Sequence, residues 1–175
     1  MKTTILKITL LLFLTTLISC SDNENLTNDS TGDDTFSCYI NGDLYIPSAG
    51  TGINGGDIRP FNWSYSNLNN SNVFNLSSLG DYRVALYIVE PILGGNILNQ
   101  ELIHTFDSSH SGMIIKNTLI FYNTKNNQNN GIVNFTKLSD TKAVGTFECT
   151  LYNDAGEELN ITNGKFNLSL DSRTN

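Results

Sequence analysis

The sequence predicts an all-β fold, an antiparallel β-sandwich with a small up-and-down β-barrel as the alternative, and three observations predict it. From Phe36 onward apolar residues recur with a period of two, the spacing that sends alternate side chains to one face of a strand. These runs are short and are punctuated by turn signals such as Asn41-Gly42, Gly80-Asp81 and Asp154-Ala155-Gly156. No long segment carries the 3.6-residue period of a helix, although Asn96 to His104 has room for a short one. A succession of hairpins of this kind is the pattern of a sandwich or barrel.

Taken in order, Phe36, Cys38 and Ile40 alternate with Ser37 and Tyr39, and Asn41-Gly42 predicts a type I′ turn into Leu44-Tyr45-Ile46 because both residues tolerate positive φ. Pro47 ends that strand. Phe61, Trp63 and Tyr65 alternate with Asn62, Ser64 and Ser66. Val73 to Leu79 and Tyr82 to Glu90 flank Gly80-Asp81, and Thr118 to Asn123 and Gly131 to Leu138 flank a polar loop, Thr124 to Asn130. Phe147, Cys149 and Leu151 alternate within Ala143–Tyr152. Leu159 and Ile161 follow a turn, Asn163-Gly164 reads as another turn, and Phe166, Leu168 and Leu170 alternate to the end. Residues 36–171 form one domain, long enough to bury a working core.

The segments before this domain carry the address. A basic start (Lys2, Lys7) leads into an apolar run of 11 residues, Ile8 to Ile18, and then Leu17-Ile18-Ser19-Cys20. A membrane-spanning helix needs about 20 mostly apolar residues, so the run is too short and fits the h-region of a secretory signal. Residues 1–19 resemble a bacterial lipoprotein signal peptide closing on a lipobox. The resemblance implies that Cys20 becomes the N-terminus, carrying diacylglycerol and an amide-linked acyl chain, so that membrane lipid is its first partner. Two or three chains anchor durably where one binds marginally. Ser21 is not the aspartate that retains enterobacterial lipoproteins at the inner membrane, which points to the outer membrane. The acidic residues behind it resemble the export signal that carries Bacteroidota lipoproteins to the cell surface. Residues 20–35 have almost no apolar content and read as a disordered acidic tether, able to reach about 20 Å as a coil and roughly 50 Å when stretched.

The whole chain has a net charge of −7. Removing residues 1–19 takes away two lysines and no acid, leaving 8 basic residues against 17 acidic ones and a charge of −9. Such a chain repels phosphate backbones, which argues against nucleic acid as a partner. Much of the remaining polarity is asparagine, a bias that reads as codon composition more than function.

Two further blocks carry a resemblance. Phe36-Ser-Cys-Tyr-Ile-Asn-Gly-Asp-Leu-Tyr45, and at the other end Gly145-Thr-Phe147 with Asn153-Asp-Ala-Gly156 and Ile161-Thr-Asn-Gly164-Lys-Phe166, resemble the opening and closing hairpins of small uncharacterised Bacteroidota lipoproteins. The resemblance covers both ends of the domain but not Gly50 to Asn130. It implies a lipobox followed by an all-β domain and supplies no catalytic residue.

The candidate sites are few. Cys38 and Cys149 each sit on the apolar face of a strand, and in an oxidising envelope they either form a disulfide or remain buried thiols. Phe61, Trp63 and Tyr65 share one face. Exposed, Trp63 and Tyr65 would stack against a glycan; buried, they are core. His104 and His110 lie near Glu101, Asp107 and Ser108, Ser109 and Ser111. They read as a solvated loop, with a hydrolase using either histidine as the sharper alternative. Their spacing is poor for a metal. Asp33-Asp34 and Asn153–Glu158 lack calcium-loop spacing, and no cofactor-binding motif is present. The leading expectation is a lipid-anchored, non-enzymatic binding module, with loops Gly50–Pro60 and Pro91–Gly112 carrying specificity for a glycan or an outer-membrane protein. A purely structural partner of an outer-membrane complex is the alternative.

Overall fold

The computed structural model describes residues 34–48, 59–102, 112–117 and 119–173. They form an all-β fold of eleven antiparallel strands: β1 (Thr35–Ile40), β2 (Asp43–Tyr45), β3 (Phe61–Leu68), β4 (Ser71–Ser78), β5 (Tyr82–Val89), β6 (Gly94–Leu98), β7 (Gly112–Asn117), β8 (Ile120–Asn123), β9 (Gly131–Leu138), β10 (Ala143–Tyr152) and β11 (Glu158–Leu168). The sheet runs β2-β1-β11-β10-β8-β7-β5-β4-β3, with β9 on the other half of β10 and β6 beyond it. One residue pair, Tyr152 with Asn123, joins β10 to β8. The sheet therefore curls at that joint, as one continuous sheet with two facing arms.

Aromatic rings fill the space between the arms. Phe74 of β4 meets Phe135 of β9 at 4.9 Å between centroids and Phe166 of β11 at 5.8 Å, and Phe36 of β1 meets Phe61 of β3 at 6.3 Å. Each buried large side chain contributes about 1.5–3 kcal/mol. Trp63 is fully buried, and its Nε1–H donates to the Ser169 carbonyl at 2.8 Å. That bond and a bridge between Trp63 and Arg173 tie β3 to the segment after β11. Asp34 accepts from the Ser169 amide and from the Ser172 hydroxyl at 2.7 Å, which ties the residue before β1 to the segment after β11.

The turns follow the sequence signals in most places. Asn41 and Gly42 have φ of 50° and 90°, as a type I′ turn requires. Asn69 and Asn70, at 51° and 67°, make an equivalent two-residue turn between β3 and β4. Asn153 closes its own turn by accepting from the Glu157 amide at 2.8 Å.

Three expectations are corrected. Asn96 to Leu98 is strand, not helix: Asn96 faces the backbone, donating to the carbonyls of Ile92 and Gly94 at 2.9 and 3.0 Å, and β6 pairs with β9. Asn163-Gly164 is a bulge, not a turn. β11 advances three residues, Ile161 to Gly164, while β10 advances two, Cys149 to Phe147. The extra residue changes the phase of alternation, so Ile161 and Phe166, an odd number apart, both point inward. Gly164 is required there because a Cβ would lie 2.6 Å from the Phe147 ring. Finally, Leu170 does not extend the strand; it opens a 3-10 turn, Leu170–Ser172, and is 55% exposed.

Candidate functional site

The second face of β5 and β7 differs from their core face. Val84, Leu86, Met113 and Ile115 point into the core, and by alternation Arg83, Ala85, Ile114 and Lys116 point outward. The registers align these outward residues in two rows. Arg83 stands opposite Lys116, which stands opposite Phe121; Ser77 stands opposite Ala85, Ala85 opposite Ile114, and Ile114 opposite Asn123.

A strap crosses the end of the second row. The Asn123 side chain grips the backbone of Leu102 from both sides, accepting from its amide at 3.0 Å and donating to its carbonyl at 2.9 Å. Asn126 holds the neighbouring Glu101 amide at 2.7 Å. Thr124, fully buried, accepts from the Met113 amide at 3.1 Å and donates to the Gln100 carbonyl. Gly112 lets these chains approach, since a Cβ would fall 2.5 Å from the Gln100 carbonyl oxygen. So held, Leu102 packs on Val73 and Tyr87, making a small second core on the outer face with Ala85, Val89 and Ile114 beside it.

Two depressions flank the strap and share Leu102, Ile114 and Phe121. The larger, about 480 Å³, runs over Ala85 to Arg83 and Lys116. The smaller, about 310 Å³, runs toward Glu101, Lys125 and Asp154. The Lys116 ammonium lies 5.0 Å from the Phe121 centroid, and the Lys125 ammonium lies 3.8 Å from that of Tyr152, both within cation–π range. Together they make a trough with an apolar floor, Arg83 and Lys116 at one end and Glu101, Asp154 and Lys125 at the other.

The sequence-predicted residues lie elsewhere. Trp63 is sealed in the core and presents no face to a glycan, and Tyr65 is half-buried against that core, so the stacking platform is replaced by packing. Cys38 and Cys149 are free, buried thiols. β11 lies between their strands, and two strand spacings of about 4.8 Å each exceed the ~7 Å Cα separation a disulfide tolerates. Burial pushes the Cys38 thiol up to about 12 and raises Cys149 further, with Cys38 and Glu148 adding to that rise. Cys149 instead lies 3.3 Å from the Met113 sulfur. Cys20, His104 and His110 fall outside the described residues. Among the described residues no three His, Cys, Asp or Glu side chains converge as metal ligands.

Sequence alternation contained the trough without revealing it. Strand β7 falls between the expected loop Pro91–Gly112 and the expected strand from Thr118, in a stretch to which the sequence assigns no element, so the partner of Arg83 is not visible there. No family model, curated protein or solved structure matches the chain.

Proposed function

We propose that this chain is a lipid-anchored cell-envelope protein whose β-domain is a binding module, held at the outer membrane through acylated Cys20 and presented to the cell surface on its acidic tether. The lipobox-like Leu17-Ile18-Ser19-Cys20 supports the anchor. The trough carries the binding role: its larger half, about 480 Å³, falls within the size range of small-molecule sites. A sheet face that only met solvent would have no need of an apolar floor and a strap clamped over it. No catalytic role is assigned to any residue.

A structural role in an outer-membrane complex is the second reading. It draws on large apolar side chains beside the open strands β2 and β6, where Leu44, Ile46, Ile92 and Leu93 are 58–65% exposed.

Fractionation and binding test the two halves of the proposal. The wild-type chain should sediment with outer membranes and incorporate labelled palmitate, and Cys20→Ala should lose both. A panel of envelope glycans and outer-membrane extracts should yield a saturable partner whose binding Ile114→Glu abolishes. An unlipidated wild-type chain would remove the anchor, and a partner indifferent to Ile114→Glu would remove the trough.

A further inference from the structure

We infer that the trough takes a small acidic amphiphile, a molecule with one anionic headgroup and a flat apolar body. The inference rests on the binding role proposed for the trough and adds the chemistry of the ligand.

The decisive feature is the register of β5 and β7. Arg83 and Lys116 stand directly opposite on the outer face, where like charges destabilise a sheet. Among the described residues neither cation forms an ion pair or a hydrogen bond; Lys116 has only the Phe121 ring beneath it. Two of the chain's 10 basic residues thus converge in a molecule of net charge −7, reversing the local field. An anion seated between them removes the repulsion. The arginine fork would bind a carboxylate or sulfonate through two parallel hydrogen bonds, and the lysine would add a point charge.

The floor fixes the other half of the ligand. From the two cations the surface continues over Ala85, Ile114 and Phe121, which is 40% exposed, to Leu102. A compact inorganic anion would leave that floor uncovered. The far depression sets Glu101 and Asp154 against the single cation Lys125, so its lining is net acidic and orients the headgroup toward Arg83 and Lys116.

The test uses the mature lipidated chain in nanodiscs of neutral lipid, with probe binding measured by equilibrium dialysis against empty discs. 2-Naphthoate, 2-naphthalenemethanol and acetate serve as acidic amphiphile, neutral isostere and bare anion. Naphthoate should bind saturably at one site and at least ten-fold more tightly than the alcohol, with affinity falling as salt rises. Arg83→Gln combined with Lys116→Gln should weaken naphthoate at least ten-fold and leave the alcohol unchanged. Lys137→Gln, at an exposed cation on β9, should change neither. Equal, saturable binding of alcohol and naphthoate would overturn the acidic specificity while leaving the trough as a binding site. Displacement of naphthoate by acetate at equal concentration would overturn the amphiphile. Saturable binding of neither aromatic probe would count against the trough itself. The salt dependence is read on wild type, so the inference stays testable if a variant folds poorly.

Discussion

The two faces of β5 and β7 are made from alternating residues of the same strands, yet they obey different rules. Inside, Val84, Leu86, Met113 and Ile115 are at most 2% exposed and meet rings and aliphatic chains from the opposite arm. Outside, Ala85 and Ile114 give the sheet a second apolar surface, but Arg83 and Lys116 stand together beside it and, among the described residues, a strap rather than a second layer lies over it. The inner face is satisfied by the fold. The outer face retains a charge repulsion and an open floor, and that difference separates a surface built for stability from one built for contact.

Truncating the inner face should have the largest effect. Trp63→Ala removes a fully buried ring and its 2.8 Å bond to Ser169, which should cost about 3–5 kcal/mol in urea unfolding followed by circular dichroism. The same variant should leave naphthoate affinity unchanged wherever it remains folded. A variant near wild-type stability would show that the core does not depend on this ring. Gly164→Ala tests the bulge in β11. A methyl group 2.6 Å from the Phe147 ring must displace packed atoms, for a loss of about 1–3 kcal/mol.

These two sites also show what was legible in the sequence. Alternation located β1, β3, β9 and β10, where large residues keep to one face, and the flanking Gly80-Asp81 turn signal located β4 and β5, whose Val73 and Tyr87 also bury on the second face. It misread β11, where one extra residue shifts the phase, and Asn163-Gly164 looks like a turn until its neighbours are known. Gly112–Asn117 escaped notice because Ile114 and Ile115 are apolar in succession, one for each face. Asparagine was legible as composition but not as function. Asn96, Asn123 and Asn130 grip backbone groups in loops, and five of the six described non-glycine residues with positive φ are asparagine. Such contacts depend on which loops meet, which no local pattern states.

Titration gives a readout of the inner face without disturbing the outer one. Because burial raises both thiols above the ordinary 9.0, the folded state holds them neutral when the unfolded chain would release their protons. Their contribution is complete below pH 9 and is lost as pH rises toward 12. The melting temperature should therefore fall with rising pH across that window, and a Cys38→Ala, Cys149→Ala double variant should show a shallower fall. Both thiols should resist thiol reagents in the native protein and react on denaturation. Native reactivity, or a disulfide between them, would contradict their placement on either side of β11.

The strap should respond more weakly and more locally. Asn123→Ala removes two hydrogen bonds to Leu102, a loss of about 1–2 kcal/mol at typical net values. Amide exchange at Leu102 should accelerate while that in β11 stays slow, since β11 pairs only with β1 and β10 and not with the strand that carries the clamp. Uniform acceleration throughout the sheet would mean that the strap is part of the main core.

The smallest effect discriminates best between the two faces, because its sign is the opposite of every other. If Arg83 and Lys116 repel across β5 and β7, Arg83→Gln should stabilise the unliganded protein by about 0.2–1 kcal/mol, and the gain should shrink as salt screens the pair. On the inner face every truncation should destabilise at any ionic strength, because packing has no charge to screen. A substitution that strengthens the fold while weakening naphthoate binding would place stability and binding in opposition at one residue, as expected where a surface is kept strained for its ligand. If Arg83→Gln instead weakens the fold and the loss is insensitive to salt, the arginine stem is packing like its inward neighbours, and the contrast between the faces disappears at that row.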